Sequence, residues 1–195
     1  MEPSRSARGF ELEPFRKYLL VLAEAGLDPL LRRLVDPSDV VQQTLLEAHQ
    51  GLEGFTGESF PQRAAWLRQI LARNLADCAR DHRRARRDVA RERSLDEVLA
   101  QSSQRLGACF AADESSPSEK AMRGEEILRV AEAVASLPDL SRQVFLLRHC
   151  QGWSLDAIAR HFGKTGPAVA GLLRRALEKL REELGPAGKG PSLSG

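Results

Sequence analysis

The sequence predicts an all-α protein built from two small helical domains joined by a flexible linker. Three observations predict it. Leu, Ala, Arg and Glu are prominent while β-branched residues are few, a composition that favours helices. Apolar residues recur at three- and four-residue intervals through most of the chain. That pattern falls into two blocks, separated by a polar, serine-rich stretch between Ser94 and Ser118. The length, 195 residues, fits one domain or two small ones, since a domain commonly takes about 100–200 residues.

The elements follow in order. Over 10–34 the apolar positions Phe15, Leu19, Leu22 and Ala23, then Leu27, Leu30, Leu31 and Leu34, describe a pair of helices broken near Gly26. Asp36 then supplies an N-cap oxygen, Pro37 a preset first helical residue and Asp39 a carboxylate at the positive helix end. The helix that starts there runs through Val40, Val41, Thr44, Leu45 and Ala48 and stops at Gly51. After a short glycine-containing stretch, with Ser59 as cap, a long helix carries Phe60, Ala64, Leu67, Leu71 and Leu75. From Arg80 the apolar stripe gives way to an arginine-rich run, and the core of the first domain ends. In the serine-rich stretch only Leu95, Val98 and Leu99 suggest a short helix. Ser116, Pro117 and Glu119 form a capping box that opens a helix through Ile127, Val130, Ala131, Val134 and Leu137, ended by Pro138. Helices over 139–150, 155–162 and 167–184 complete the second block. The resulting boundaries are 1–9 and 185–195 for disordered ends, 10–93 and 118–184 for the domains, and 94–117 for the linker.

Composition excludes several classes of function. Cys78, Cys109 and Cys150 are odd in number and widely spaced, which suits reduced thiols rather than a disulfide framework. His49, His82, His149 and His161 show no zinc-ligand spacing, no phosphate-binding glycine loop is present, and no nucleophile has a recognisable base and orienting group. A catalytic role, a metal and a cofactor are therefore not expected. The longest apolar run, Leu19 to Ala23, falls far short of the ~18 residues a membrane span needs, so a cytoplasmic protein is expected.

Three constellations point elsewhere. From Ser154 to Leu173 the chain has the requirements of a helix-turn-helix: Ser154 as a cap, Ala159 where the helices cross, Gly163 for the turn, and Ile158, Phe162, Val169, Leu172 and Leu173 as apolar packing. Lys164 and Thr165 stand at the mouth of its second helix, and Arg174, Arg175, Lys179 and Arg181 give that helix a basic face, which favours DNA over mere internal packing. Residues 66–93 hold nine arginines against Asp77, Asp81, Asp88 and Glu92, a local balance of +5 suited to phosphate and exposed bases. The helix after Pro37 leaves Asp39, Gln42, Gln43 and Glu47 on a polar face. The formal net charge of +2 is thus a cancellation, because the part before the arginine-rich run carries nine carboxylates between Glu11 and Glu58.

These residues resemble a family. Asp36 to Thr44, followed by Phe55-Thr56-Gly57, Phe60, Trp66-Leu67 and the arginine-rich helix end, is similar to region two of RNA polymerase sigma factors of the extracytoplasmic-function (ECF) type. Ser136-Leu137-Pro138, the run from Arg142 to His149 and the helix-turn-helix are similar to region four. The resemblance covers about residues 10–184, in the family's order. It implies that Asp39, Gln42, Gln43 and Glu47 bind core RNA polymerase, and that residues 51–60 capture a base flipped from the minus-ten strand. It implies minus-ten contacts from Arg73, Asn74, Arg80, Arg83, Arg84 and Arg87, with Asn74 reading a base edge and the arginines holding phosphate. Minus-thirty-five contacts are implied for Lys164, Thr165, Gly166, Ala170, Arg174 and Arg175. Many members carry lysine and arginine where this chain has Ala170 and Leu172, which implies more apolar readout, for example of thymine methyls. An anti-sigma protein that closes the two domains on each other, through the linker, is a further partner the family often has. Without the resemblance, the residues alone also admit an autonomous helix-turn-helix regulator with an N-terminal helical sensing domain, or a helical enzyme with a DNA-binding appendage.

Overall fold

The structure is a computed structural model that describes residues 11–27, 32, 34–83, 95–108 and 119–185, with side chains except at 81–83 and 119–123. Among the described residues all regular structure is helical. The chain divides into two compact units, Met1–Ala100 and Gln101–Gly195.

In the first unit a single 3₁₀ turn, Glu13–Phe15, leads into α1 (Arg16–Gly26), which packs on α2 (Pro37–Gly51) and α3 (Phe60–Arg83). The expected stripe of Leu19, Leu22 and Ala23 is buried, but so are Tyr18, Val21, Glu24 and Ala25. α1 is therefore covered on most of its circumference, which a one-sided stripe does not foretell. The Tyr18 hydroxyl accepts a hydrogen bond from Arg68 Nη1 at 3.0 Å, so its burial does not strand a polar group. Of the second helix expected over 27–34, most residues lie outside those described.

Both expected caps of this unit form. Asp36 Oδ1 accepts from the Ser38 amide at 2.8 Å, ahead of Pro37. At the start of α3 the capping is reciprocal. Ser59 Oγ accepts from the Gln62 amide at 3.4 Å, while Gln62 Oε1 takes the Ser59 amide at 3.1 Å. α2 buries Val40, Val41, Thr44, Leu45 and Ala48, and α3 buries Ala64, Leu67, Ile70, Leu71 and Leu75. Phe60 stacks on Phe15 with ring centroids 5.3 Å apart, tying the first turn of α3 to the entry of α1.

Within the stretch expected to be a linker, 94–117, the short helix suggested by Leu95, Val98 and Leu99 is present and longer than those residues indicate. It is α4 (Leu95–Ala108), in which Leu99, Ser102, Ser103 and Leu106 are buried. Serine content suggested a linker, but serine is small enough to be buried on a helix, and the leucines keep a helical spacing. In the first unit, a Cβ placed on Gly26 would come within 2.8 Å of Leu99 Cδ2, so glycine at the end of α1 is what lets α4 approach this closely. The division between the two units falls inside α4, after Ala100.

In the second unit, α5 (Glu119–Ala135), α6 (Asp139–Phe145), α7 (Leu155–Phe162) and α8 (Gly166–Leu184) surround Val130, Val134, Leu137, Val144, Phe145, Leu146, Ile158, Val169, Leu173 and Leu177. α8 packs against α5, α6 and α7. The connection at Pro138 is held by Arg142, whose Nη1 donates to the Ala135 and Leu137 carbonyls at 3.1 and 3.0 Å and so satisfies the end of α5. The helix expected to run to Cys150 changes character at Leu146, where a wide π turn, Leu146–Cys150, closes with a bond from the Gln151 amide to the Leu146 carbonyl. Among the described residues no helix is long and apolar enough to cross a membrane.

Candidate protein and nucleic-acid interfaces

The helix-turn-helix forms where its sequence requires it. Ser154 Oγ accepts from the Ala157 amide at 3.2 Å and starts α7. Gly163, with φ +60°, ends it in a left-handed turn, with the Lys164 amide reaching the Ala159 carbonyl at 2.9 Å and the Gly163 amide the Arg160 carbonyl at 3.3 Å. Thr165 then caps α8 through the Ala168 amide at 3.4 Å. The Thr165 hydroxyl oxygen, a candidate base contact in the sequence, is thus engaged in holding the helix start. Lys164, Arg174 and Arg175 are exposed, whereas Gly166 and Ala170 are half-buried. Pro167 and Ala168, which the sequence did not single out, are the exposed side chains of the first turn. The basic face is partly neutralised. Arg174 pairs with Glu178 at 2.9 Å, and Lys179 donates to the Ser136 carbonyl at 3.1 Å.

In the first unit, α2 presents Asp39, Gln42 and Gln43 to solvent, with Glu47 half-buried beside them. One residue was missed. Leu46 lies on the same face and keeps 52% of its surface exposed, and Leu34, before α2, keeps 58%. The signal was present, since Val40, Val41, Thr44, Leu45 and Ala48 already fill the buried stripe and leave Leu46 outside it. A groove of about 470 Å³ runs along this region, lined among others by Leu34, Asp36, Asp39, Gln43, Glu47 and Asp77. Four of those six are acidic. The Glu47 carboxyl is held below the usual carboxylate range, first by a hydrogen bond from Gln43 Nε2 at 2.8 Å and then by Arg73 and Asn74.

The candidate minus-ten residues separate on α3. Arg73 and Arg80 are exposed and paired with Glu47 and Asp77 respectively. The Arg80–Asp77 pair is exposed on both sides and contributes only about 0–1 kcal/mol, whereas Arg73 meets a half-buried carboxylate. Asn74 must be corrected as a base reader. It is 7% exposed, and its Nδ2 donates to Thr44 Oγ1 at 3.1 Å, while Thr44 donates in turn to the Val40 carbonyl at 2.8 Å. It links α3 to α2 inside the unit. Arg83 closes α3, and Arg84 and Arg87 lie outside the described residues. Replacing Asn74 with alanine is expected to destabilise the first unit by about 1–3 kcal/mol in urea unfolding, and to leave the salt dependence of DNA binding unchanged. Unaltered stability together with a changed base preference would restore Asn74 as a reader.

At the entry to the loop 51–59, Phe55 stacks on Trp66 with centroids 4.4 Å apart and planes at 17°, which holds the loop against α3.

An all-α chain with a helix-turn-helix in one unit, and an acidic, leucine-bearing helix beside an arginine-bearing one in the other, defines a DNA-binding transcription protein. A family model for sigma-70 region 4 matches residues 127–180, the span from α5 through most of α8. A probable RNA polymerase sigma factor, RfaY, of Xanthomonas campestris is 34% identical over 160 residues, 80% of this chain, although the chain covers only 36% of that protein's length. The ECF RNA polymerase sigma factor SigD of Mycobacterium tuberculosis is 28% identical over 184 residues, 94% of this chain and 80% of its own. The RNA polymerase sigma factor CnrH of Cupriavidus metallidurans is 32% identical over 145 residues, 74% of this chain and 71% of its own. The chain belongs to the RNA polymerase sigma factors, in their extracytoplasmic-function group.

Proposed function

We propose that the chain binds core RNA polymerase through the exposed face of α2 and directs it to promoters, with α3 and the loop 51–59 engaging the minus-ten strand and α8 entering the minus-thirty-five major groove. The observation that carries this is the joint presence of two surfaces of different character in one chain, the acid, amide and leucine face of α2 and the capped helix-turn-helix with exposed Lys164, Arg174 and Arg175. Asp39, Gln42, Gln43 and Glu47 then belong to the polymerase contact. Arg73, Arg80, Arg83, Arg84 and Arg87 hold strand phosphates, and Lys164, Gly166, Ala170, Arg174 and Arg175 meet the upstream duplex.

In this function the chain makes and breaks no covalent bond. Flipping a base from the stack costs a few kcal/mol, and protein contacts to the opened strand offset it. A chain whose net charge is only +2 gains little from bulk electrostatics, so promoter affinity comes from local basic surfaces assembled on the polymerase. The proposed domain limits are 10–93 and 118–184, and the proposed location is the cytoplasm, where polymerase works. An anti-sigma protein that competes for these surfaces is part of the same proposal.

The test is run-off transcription with purified core polymerase on duplexes selected from a randomised pool. Addition of the protein is expected to give transcripts from defined start sites. Absence of any selected duplex or specific transcript would refute the proposal, and tight duplex binding by the protein alone as a dimer would replace it with an autonomous regulator.

A further inference from the structure

The second unit begins earlier in the chain than its helix-turn-helix requires, at Gln101. Residues 101–108 are the C-terminal half of α4. Within this unit, Gly107 comes close to α5, where a Cβ on it would stand 3.6 Å from Ile127 Cδ1. Arg105 reaches the other way. Its Nη1 donates to the Cys150 carbonyl at 2.8 Å.

That carbonyl is at a telling place. Cys150 ends the π turn, and the last carbonyls of a helix have no amide ahead of them to accept. The chain supplies two of the missing donors itself, through the Gln151 amide to Leu146 and the Trp153 amide to Leu147, at 3.0 and 2.9 Å. The carbonyls at the two ends of the following turn are met by guanidinium groups instead, Cys150 by Arg105 and Trp153 by Arg148 Nη1 at 3.1 Å. Between them Gly152 has φ +75°, a left-handed conformation that favours glycine, and it lies beside the Arg105 guanidinium. The next residue after the turn is Ser154, the cap of α7. The direction in which α7 leaves the turn therefore depends on how residues 150–153 are held.

We infer that Arg105 is a positioning residue for the helix-turn-helix, acting through the Cys150 carbonyl from a segment that sequence reading assigns to the linker. It fixes the 150–153 turn and with it the entry of α7, and it touches no DNA. A guanidinium at the carbonyl end of a helical segment also meets the negative end of its dipole, which favours this arrangement over a water. The inference rests on the proposal that the second unit binds the upstream promoter element.

The test uses the full-length protein bound to core polymerase, and a duplex selected from a randomised pool by the wild-type complex. Binding is measured over a range of salt for wild type, Arg105→Ala and Arg105→Lys, and amide hydrogen exchange at residues 151–154 is measured on the same proteins. Arg105→Ala is expected to lose roughly three- to tenfold in affinity with an unchanged salt slope, and to exchange faster at 151–154, with partial rescue of both by Arg105→Lys. If Arg105→Ala does not fold, Arg105→Gln, with a shorter N–H donor, takes its place under the same criteria. Unchanged affinity, or unchanged exchange at 151–154, overturns the inference. So does a salt slope lower by about one, which marks a phosphate contact. Failure of the wild-type complex to select any duplex is a different result, and defeats the promoter-binding proposal itself.

Discussion

Leu46→Asp is expected to weaken binding of core RNA polymerase by about thirtyfold, equivalent to ~2 kcal/mol, while leaving the unfolding of the protein unchanged. Leu46 sits on the exposed face of α2 among Gln42, Gln43 and Glu47, and half of its surface meets water in the free chain. An apolar side chain in such company has little to gain from its own fold. Fully burying a leucine contributes about 1.5–3 kcal/mol, so covering the remaining half supplies roughly 1 kcal/mol, and a buried unpaired carboxylate adds a penalty of at least similar size. Leu46→Ala should therefore cost only about fivefold. Titration of labelled core polymerase measures both, with urea unfolding of the free variants as the control. Should Leu46→Asp bind normally while Asp39, Gln42 and Gln43 replaced together by alanine abolish binding, α2 docks through its polar groups alone. If both variants bind normally, α2 is not the docking helix.

Acid sensitivity is the second large effect, and it centres on His149. Its Nε2 is buried with no hydrogen-bond partner, its ring lies 4.8 Å from that of Phe145, and Arg148 adds like charge beside it. Burial first, and Arg148 second, push its pKa down to about 4 from an ordinary 6.5. Between those values the unfolded chain binds a proton that the folded one refuses, so stability is lost as pH falls from about 6.5 towards 4. After allowance for its partial exposure, the loss should reach about 1–2 kcal/mol by pH 4.5. The check is urea unfolding at pH 7 and 4.5, followed by Trp153 fluorescence in a Trp66→Phe background, for the parent and for His149→Leu. The parent should lose stability on acidification by that margin more than the variant does. Equal losses would mean that other groups govern the acid response.

The identity of the elements was largely legible, and so was the chemistry that starts and stops them. Asp36, Ser59 and Ser154 cap the helices they were expected to cap, and Gly163 makes the turn of the helix-turn-helix. Each of these interactions closes within five residues of chain, so the neighbouring residue types suffice to specify it. The candidate site was less legible. Asn74 stands next to Arg73 and near Arg80, and composition groups it with them, yet its amide is buried against Thr44, 30 residues away on another helix. Arg73 was grouped with DNA and Glu47 with polymerase, but the fold pairs them. Leu46 was lost for a different reason: the stripe of Val40, Val41, Thr44, Leu45 and Ala48 already leaves it outside, but it follows Leu45 and was not set apart from it.

The sequence by itself determined the helical class, the two blocks of apolar periodicity, the caps and the helix-turn-helix, because period and capping are local properties of the chain. Only the tertiary structure decided that the helix in the serine-bearing stretch extends to Ala108, that Asn74 faces inward and that Arg105 meets the Cys150 carbonyl. Those outcomes depend on which helix face another element covers, and on donors and acceptors brought together across tens of residues. A helical repeat states that a face will be buried; it does not state what will be found on the other side.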